Sequence, residues 1–147
     1  MRITMKSDYG LRAMIDLAAH YGHGPVPSAL IAERQLVPEH FLDQLLISLR
    51  RAGLLKSQRG PQGGHMLARP PHQISMSDVI HALDGATAPM ECLPNPTVCQ
   101  LAPGCAIRDV WQEVERFAEQ LLTSTTLDQL AARHRIAGEE GELMYYI

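Results

Sequence analysis

Residues 38–53 read Pro-Glu-His-Phe-Leu-Asp-Gln-Leu-Leu-Ile-Ser-Leu-Arg-Arg-Ala-Gly. Apolar residues recur at helical spacing, which predicts a helix with Pro38 in its first turn that runs to about Arg51 and is ended by Gly53. The buried face would take Phe41 or Leu42, together with Leu45, Leu46 and Leu49. The polar side offers four candidate DNA contacts, His40, Gln44, Ser48 and Arg51, with Asp43 at its margin.

A second, shorter helix is predicted just before this one, from Ser28 as its cap to about Arg34. A turn at residues 35–37 would join the two into a helix-turn-helix. Ser28, at the start of the pair, is also a candidate DNA contact. An ordinary helical hairpin with a solvated face would show the same periodicity, so that interpretation stays open here.

A β-hairpin is predicted directly after the helix pair, with strands at residues 54–58 and 65–68 and a glycine-rich turn at 59–64. A hairpin in this place is a wing. Arg59, at the tip, suits contact with phosphate or the minor groove, although it could also be a solvated charge. Helix pair, hairpin and local positive charge together favour DNA binding.

The charge distribution agrees with this division of the chain. Residues 1–70 carry a net charge of +4 and residues 71–147 one of −7, within a total of −3. A basic front half suggests a nucleic-acid-facing part. An amphipathic helix is also predicted at residues 8–20, capped by Ser7 or Asp8, and a short one capped by Ser77 and closed by Gly85.

All three cysteines, Cys92, Cys99 and Cys105, lie in one proline-rich stretch of fourteen residues. The prolines exclude a regular helix or central strand, so an irregular loop is predicted that could bring three thiolates to one zinc ion or iron–sulfur cluster. Three ordinary thiols, or one disulfide and a leftover thiol, are the alternative. The odd count and the lack of a signal-peptide core at the N-terminus favour reduced thiols in a cytoplasmic chain.

A long helix is predicted after the loop, with a sustained apolar stripe. The stripe suits a homodimer interface, because duplex sites are typically read by dimers, although it could pack on its own domain. Its proposed interface residues are Ile107, Val110, Trp111, Val114, Phe117 and Leu121. A capping box at residues 126–129 would open a last short helix to about Arg133.

The sequence therefore predicts a mainly α protein with a small β-hairpin wing. Residues 1–85 would form a winged helix-turn-helix DNA-binding domain and residues 86–105 a cysteine cluster-binding loop. Residues 106–135 would form the dimerisation helix and the short last helix, and residues 136–147 a tail. The chain has no apolar run of membrane-spanning length, and no Walker, dinucleotide or zinc-hydrolase motif, so neither a membrane protein nor an enzyme is expected.

Residues 1–133 resemble the Rrf2-type winged-helix regulators, which include IscR-like and NsrR-like iron–sulfur repressors. The resemblance rests on five segments and on three cysteines placed before a long helix. These segments are Met1-Arg-Ile-Thr4, Phe41-Leu-Asp-Gln-Leu45, Arg51-Ala-Gly-Leu-Leu55, Arg59-Gly-Pro-Gln-Gly-Gly64, and Ser77-Asp-Val-Ile80 followed by Leu83-Asp-Gly85. It implies a homodimeric, cytoplasmic transcription factor that binds an operator in double-stranded DNA. It further implies that DNA affinity depends on a [4Fe–4S] or [2Fe–2S] cluster held by Cys92, Cys99 and Cys105.

The same resemblance bears on a fourth ligand. IscR-like members carry a histidine three residues after the last cysteine, where this chain has Arg108, which cannot serve. NsrR-like members share Asp8 and Arg12 with this chain, which makes Asp8 a candidate ligand across the dimer and nitric oxide a candidate signal. An ion pair between Asp8 and Arg12 is the competing interpretation, and His81 is the reserve ligand.

The first cysteine gap is one residue longer here than in the best-known members of both types, so the spacing leaves the cluster type open. The leading hypothesis is a cluster-controlled regulator, a repressor by its resemblance. The alternative is a winged-helix regulator that uses the cysteines as a thiol switch or zinc site.

Overall fold

The computed structural model describes residues 3–145, with side chains for residues 3–135, 137 and 138. The chain forms six α-helices and one hairpin in that range, as the sequence predicted for a mainly α protein with a wing. In chain order these are α1 (Met5–Ala19), α2 (Ser28–Gln35), α3 (Glu39–Arg51), β1 (Leu55–Gln58), β2 (Gly64–Leu67), α4 (Met76–Asp84), α5 (Ala106–Ser124) and α6 (Leu127–Tyr145). No helix in the described range is long and apolar enough to cross a membrane.

The core forms around α1, which contacts α2, α3, α4 and α6. The helical spacing of its apolar residues is confirmed, because Met14 and Ala18 are buried while Leu11 and Ile15 are half-buried against the core. On α3, Leu42 is fully buried. Phe41 instead lies at the edge of the core, where its ring meets Tyr9 edge-on with centroids 5.8 Å apart.

The predicted helix caps are wrong at α1 and α4. The N-cap of α1 is Thr4, whose hydroxyl accepts from the Lys6 amide, and that of α4 is Ser75, which forms a capping box with Asp78. Ser7 and Ser77 lie inside the helices and are buried. Their hydroxyls are used in tertiary hydrogen bonds, so they are not available to cap a helix.

The starts of α2 and α3 also differ from the prediction. Pro27 is the N-cap of α2, which places Ser28 at the first helical position with no capping bond. Pro38 is itself the N-cap of α3, one residue before the first turn. Between the helices, Leu36 adopts a left-handed conformation with φ 54° and ψ 45°.

The wing is an antiparallel pair in which Leu55 faces Leu67 and Gln58 faces Gly64. Both backbone groups of His65 also bond to Val26, at 2.8 and 2.9 Å, so the loop before α2 extends the hairpin. A side chain at position 64 would collide with the backbone of Val26, which explains the glycine there. These bonds fix the wing to the helix pair.

The last two helices behave differently from each other. After α5 the chain returns to the head (residues 3–85), where the Leu127 amide donates to the Ile74 carbonyl at 2.9 Å and Leu127 is fully buried. The helix that starts there, α6, packs on α1 and continues to Tyr145, well past the predicted end near Arg133. The predicted capping box is half formed, since Gln129 Oε1 accepts from the Thr126 amide while the Thr126 hydroxyl donates to Asp128. By contrast, α5 buries none of its own residues.

Candidate nucleic-acid interface and cysteine loop

The outward face of α3 carries the polar side chains that the sequence singled out. His40, Gln44 and Arg51 are exposed, and Ser48 is half-buried with its hydroxyl donated to the Gln44 carbonyl at 3.3 Å. Asp43 is exposed beside them. Amide, imidazole and guanidinium groups on one helix face can bond to base edges and phosphates in a major groove.

The wing supplies a second basic element. Arg59 is exposed at the tip, next to Gly60, which has φ 111° and so needs a residue without a side chain. Near the turn, one residue pair before the end of the strands, the Ser57 hydroxyl pairs with His65 Nδ1 at 2.9 Å. Burial lowers the pKa of His65, and the nearby Asp43 only partly opposes that effect. The tip is therefore exposed to solvent, while the strands that carry it are held together by hydrogen bonds.

Ser28 lies in a different setting from the other candidate DNA contacts. It is half-buried in the first turn of α2. Its place among the DNA contacts stays a prediction.

Asp8 forms the i, i+4 ion pair that competes with its role as a ligand. Arg12 Nε lies 2.9 Å from Asp8 Oδ2, and both side chains remain almost half exposed. The Arg12 guanidinium also lies over the Tyr9 ring at 5.9 Å. The carboxylate is thus placed on an open face of α1, where a second molecule could reach it.

The cysteine loop is irregular, as predicted, apart from one turn of 3-10 helix at Pro96–Val98. Cys92, Cys99 and Cys105 are free thiols, and each is half-buried. Cys105 is the N-cap of α5, which ties the end of the loop to that helix.

Soft thiolate donors fit an iron–sulfur cluster. Within the part of the chain that the structure describes, however, no three His, Cys, Asp or Glu side chains lie close enough together to hold a metal ion. The donor types therefore fit a cluster, but the described chain does not hold them in a preformed ligand set.

The apolar stripe on α5 is largely open to solvent. Ile107, Val110, Phe117 and Leu121 are each more than 60% exposed, and Trp111 and Val114 about 40%. Six large apolar side chains on one exposed helix face mark an interaction surface. This is the surface that the sequence assigned to a homodimer.

Two polar junctions were missed by the sequence reasoning. At the first, Asp84 at the end of α4 accepts from the Thr4 hydroxyl at 2.7 Å and from the Ser7 hydroxyl at 2.6 Å. Burial alone would raise the pKa of Asp84, but these hydrogen bonds outweigh it and leave the pKa below the ordinary value. The cysteine loop thus begins from a point fixed to α1.

The second junction joins α4 to α5. Glu119 accepts from Ser77 Oγ at 2.5 Å and from Thr123 Oγ1 at 3.1 Å, and His81 Nε2 lies 3.5 Å from its other oxygen. The bond from Ser77 is the largest cause of a lowered pKa for Glu119. His81, the reserve ligand, is thereby turned toward a carboxylate. No sequence signal links residues 42 positions apart in this way.

Comparison with known proteins decides the family. The model of the Rrf2 family, described as iron-dependent transcriptional regulators, matches residues 3–133. The chain belongs to the Rrf2 family. It is 37% identical to the HTH-type transcriptional regulator CymR of Bacillus subtilis strain 168 over the full length of both chains.

Solved structures of Rrf2 relatives share the fold. CymR, the global cysteine regulator of B. subtilis, superposes with a TM-score of 0.78 at 38% identity, covering 90% of this chain and 98% of CymR. IscR of T. potens gives a TM-score of 0.76 at 38% identity, covering 93% and 90%. The chain is thus an Rrf2-family transcriptional regulator with the fold of CymR and IscR.

Proposed function

We propose that this protein is a homodimeric repressor that binds operator DNA in the cytoplasm and whose affinity is set by the state of its three-cysteine loop. In the leading form of the proposal, Cys92, Cys99 and Cys105 hold an iron–sulfur cluster. Nitric oxide, redox conditions or iron status would be the signal. The cluster supplies a centre that such signals alter or remove.

The observation that carries the proposal is the position of the three free thiols. They lie on the one connection between α4, which packs on the head, and α5, which carries the apolar stripe. A change in this loop acts on both helices at once, because Gly85 is the C-cap of α4 and Cys105 is the N-cap of α5. Such a coupling between sites is typically worth about 1–3 kcal/mol.

The DNA side of the proposal rests on α3 and the wing. We expect Arg59→Ala to weaken binding and to lower the salt slope of the affinity by about one, because one phosphate contact is lost. Fluorescence anisotropy on a duplex selected from a random library would measure this. Arg116→Ala, on α5, is the matched control and should leave the slope unchanged.

The cluster side is tested on protein purified without oxygen, by visible absorption together with iron and sulfide assays. Iron and sulfide in equal amounts, and a DNA affinity that changes when they are removed, would support the proposal. A colourless chain that takes up no iron on reconstitution would defeat the cluster form of it.

Asp8 is proposed as the fourth ligand, from the partner subunit. Asp8→Asn and Arg12→Gln both break the 2.9 Å ion pair. Only Asp8→Asn should change the cluster spectrum if the carboxylate is a ligand. Equal effects of both variants would reduce Asp8 to a member of the ion pair.

A second candidate keeps the regulator but uses the thiols directly, as a redox switch or zinc site. It is favoured by the likeness to CymR, a cysteine regulator. A metal-free protein whose DNA affinity responds to oxidation would select the switch. Zinc in the purified protein without sulfide would select the zinc site.

A further inference from the structure

Arg108, in the first turn of α5, reaches back across the cysteine loop. Its Nε–H donates to the Cys92 carbonyl at 3.1 Å, and its terminal Nη2 lies 3.5 Å from the Leu93 carbonyl. The side chain is half-buried. One guanidinium therefore joins residues that are 16 positions apart.

The rest of the loop is made of short local turns. Between residues 92 and 105 the described backbone amides that donate to other backbone groups do so to carbonyls three or four positions earlier. Such turns shape the chain locally, but they do not fix the distance between the two ends of a loop. The contact from Arg108 fixes this distance, because it joins the two ends of the segment that contains all three thiols.

We propose that Arg108 is the positioning residue of the cysteine loop, which holds Cys92 against the start of α5 so that its thiol can react together with that of Cys105. The inference rests on the proposed function, in which these cysteines act as one unit. Cys105 is the N-cap of α5 and Arg108 lies three residues after it. The guanidinium thus limits how far Cys92 can move from Cys105.

Arginine suits this task for a geometric reason. Its planar fork carries five donors and stays charged, so it can bond to two neighbouring carbonyls at once. A lysine ammonium is a point charge and reproduces only part of this arrangement. Within the described residues no carboxylate lies within salt-bridge distance of Arg108, so no ion pair competes with the two carbonyls for its donors.

The test uses the full-length, reduced, metal-free protein with Cys99→Ser, so that only two thiols remain. Diamide takes up the two electrons and two protons that the thiols lose when the disulfide forms, and peptide mass spectrometry measures the rate. We expect Arg108→Gln to slow the Cys92–Cys105 disulfide at least about threefold, since loop closure loses its restraint. Arg108→Lys should fall between this variant and the parent.

Arg116→Gln is the matched control, because Arg116 lies two turns further along α5 and pairs with Glu113. It should leave the rate unchanged. Alkylation of each single thiol by iodoacetamide separates a change in approach from a change in exposure. An unchanged disulfide rate in Arg108→Gln, an equal loss in Arg116→Gln, or no Cys92–Cys105 disulfide in the parent would each overturn the proposal.

This measurement involves neither DNA nor iron. A protein that fails to bind either would defeat the proposed function and leave the effect of Arg108 standing. If the protein binds DNA and iron, but the Cys92–Cys105 disulfide forms equally fast in the parent and in Arg108→Gln, the proposed function stands and the role of Arg108 is overturned.

Discussion

Ser77 Oγ donates a 2.5 Å hydrogen bond to Glu119 Oε1, and this contact joins α4 to α5. Ser77→Ala removes the donor and leaves the carboxylate without its strongest partner. We expect a loss of about 1–2 kcal/mol in the free energy of unfolding, measured by urea titration. Thr123→Ala, which removes an exposed donor to the same oxygen, should cost less than about 0.5 kcal/mol. Equal costs would mean that the junction makes no special contribution.

The lowered pKa values of Asp84 and Glu119 predict a loss of stability in acid. Their ordinary values are 3.8 and 4.5. Because the folded state favours the ionised carboxylates, their stabilisation is present above these values and is lost as the pH falls through the lower, folded ones. Urea unfolding between pH 7 and pH 3 would show the decline. The double variant Asp84→Asn, Glu119→Gln should be less stable at pH 7 and should lose less stability toward pH 3. An identical loss in the parent and the variant would contradict the assignment of the acid sensitivity to these two carboxylates.

Leu36 occupies a left-handed conformation although it is a leucine, and its side chain is 83% exposed. A Cβ in this region costs about 1–2 kcal/mol, while little packing would be lost on substitution. We therefore expect Leu36→Gly to stabilise the protein by about 1 kcal/mol in thermal or urea unfolding. Leu36→Ala keeps the Cβ and should change little, so stabilisation by both variants would point to the side chain and not to the backbone.

Both aspartates of α1, Asp8 and Asp16, pair with arginines, and these pairs differ in burial. Asp16 is 4% exposed and accepts from Arg34 Nε at 2.9 Å and from its Nη2 at 2.7 Å, whereas Asp8 and Arg12 form an exposed pair. Arg34→Ala would leave the buried Asp16 carboxylate without its arginine, with the Gln35 amide still donating to it at 3.2 Å, and should cost about 3 kcal/mol. Arg12→Ala should cost less than about 1 kcal/mol. Urea unfolding of both variants gives the comparison, and similar losses would refute it.

The exposed stripe of α5 predicts a dimer that a single charge can break. Phe117→Glu places a carboxylate among the five remaining apolar side chains of the stripe, and we expect mostly monomers by sedimentation velocity with a weakened affinity for DNA. Gln112→Glu adds the same charge on the opposite side of the helix. It should remain dimeric, and dissociation of both variants would place the interface elsewhere.

The periodicity of apolar residues located the helices because burial of one face is a local property of the sequence. The same periodicity did not identify the residues that cap the helices. Ser7 and Ser77 have the residue type that caps helices, but distant carboxylates take up their hydroxyls, and the neighbouring Thr4 and Ser75 cap instead. A choice between two hydroxyl residues two or three positions apart depends on tertiary partners that no local pattern contains.

The site was predictable in its residue types but less so in its connections. The sequence marked Arg108 only as a residue that cannot ligate a metal. Its contact with Cys92 depends on how the loop returns to α5, which spacing does not reveal. Likewise, nothing about a leucine indicates the left-handed conformation of Leu36, because the C-terminal end of a helix takes this conformation most readily at a glycine.

Because α5 buries none of its residues within its own chain, the stability of the proposed dimer depends on the concentration of the protein. In the proposed dimer, pairing would stabilise α5 by mass action, so apparent stability would rise with concentration. At low copy number, newly made chains would stay unpaired longer and be open to degradation, and operator occupancy would fall faster than in proportion to synthesis. If the stripe forms the proposed dimer, it would give the regulator a threshold in its own expression level, independent of any signal at the cysteines.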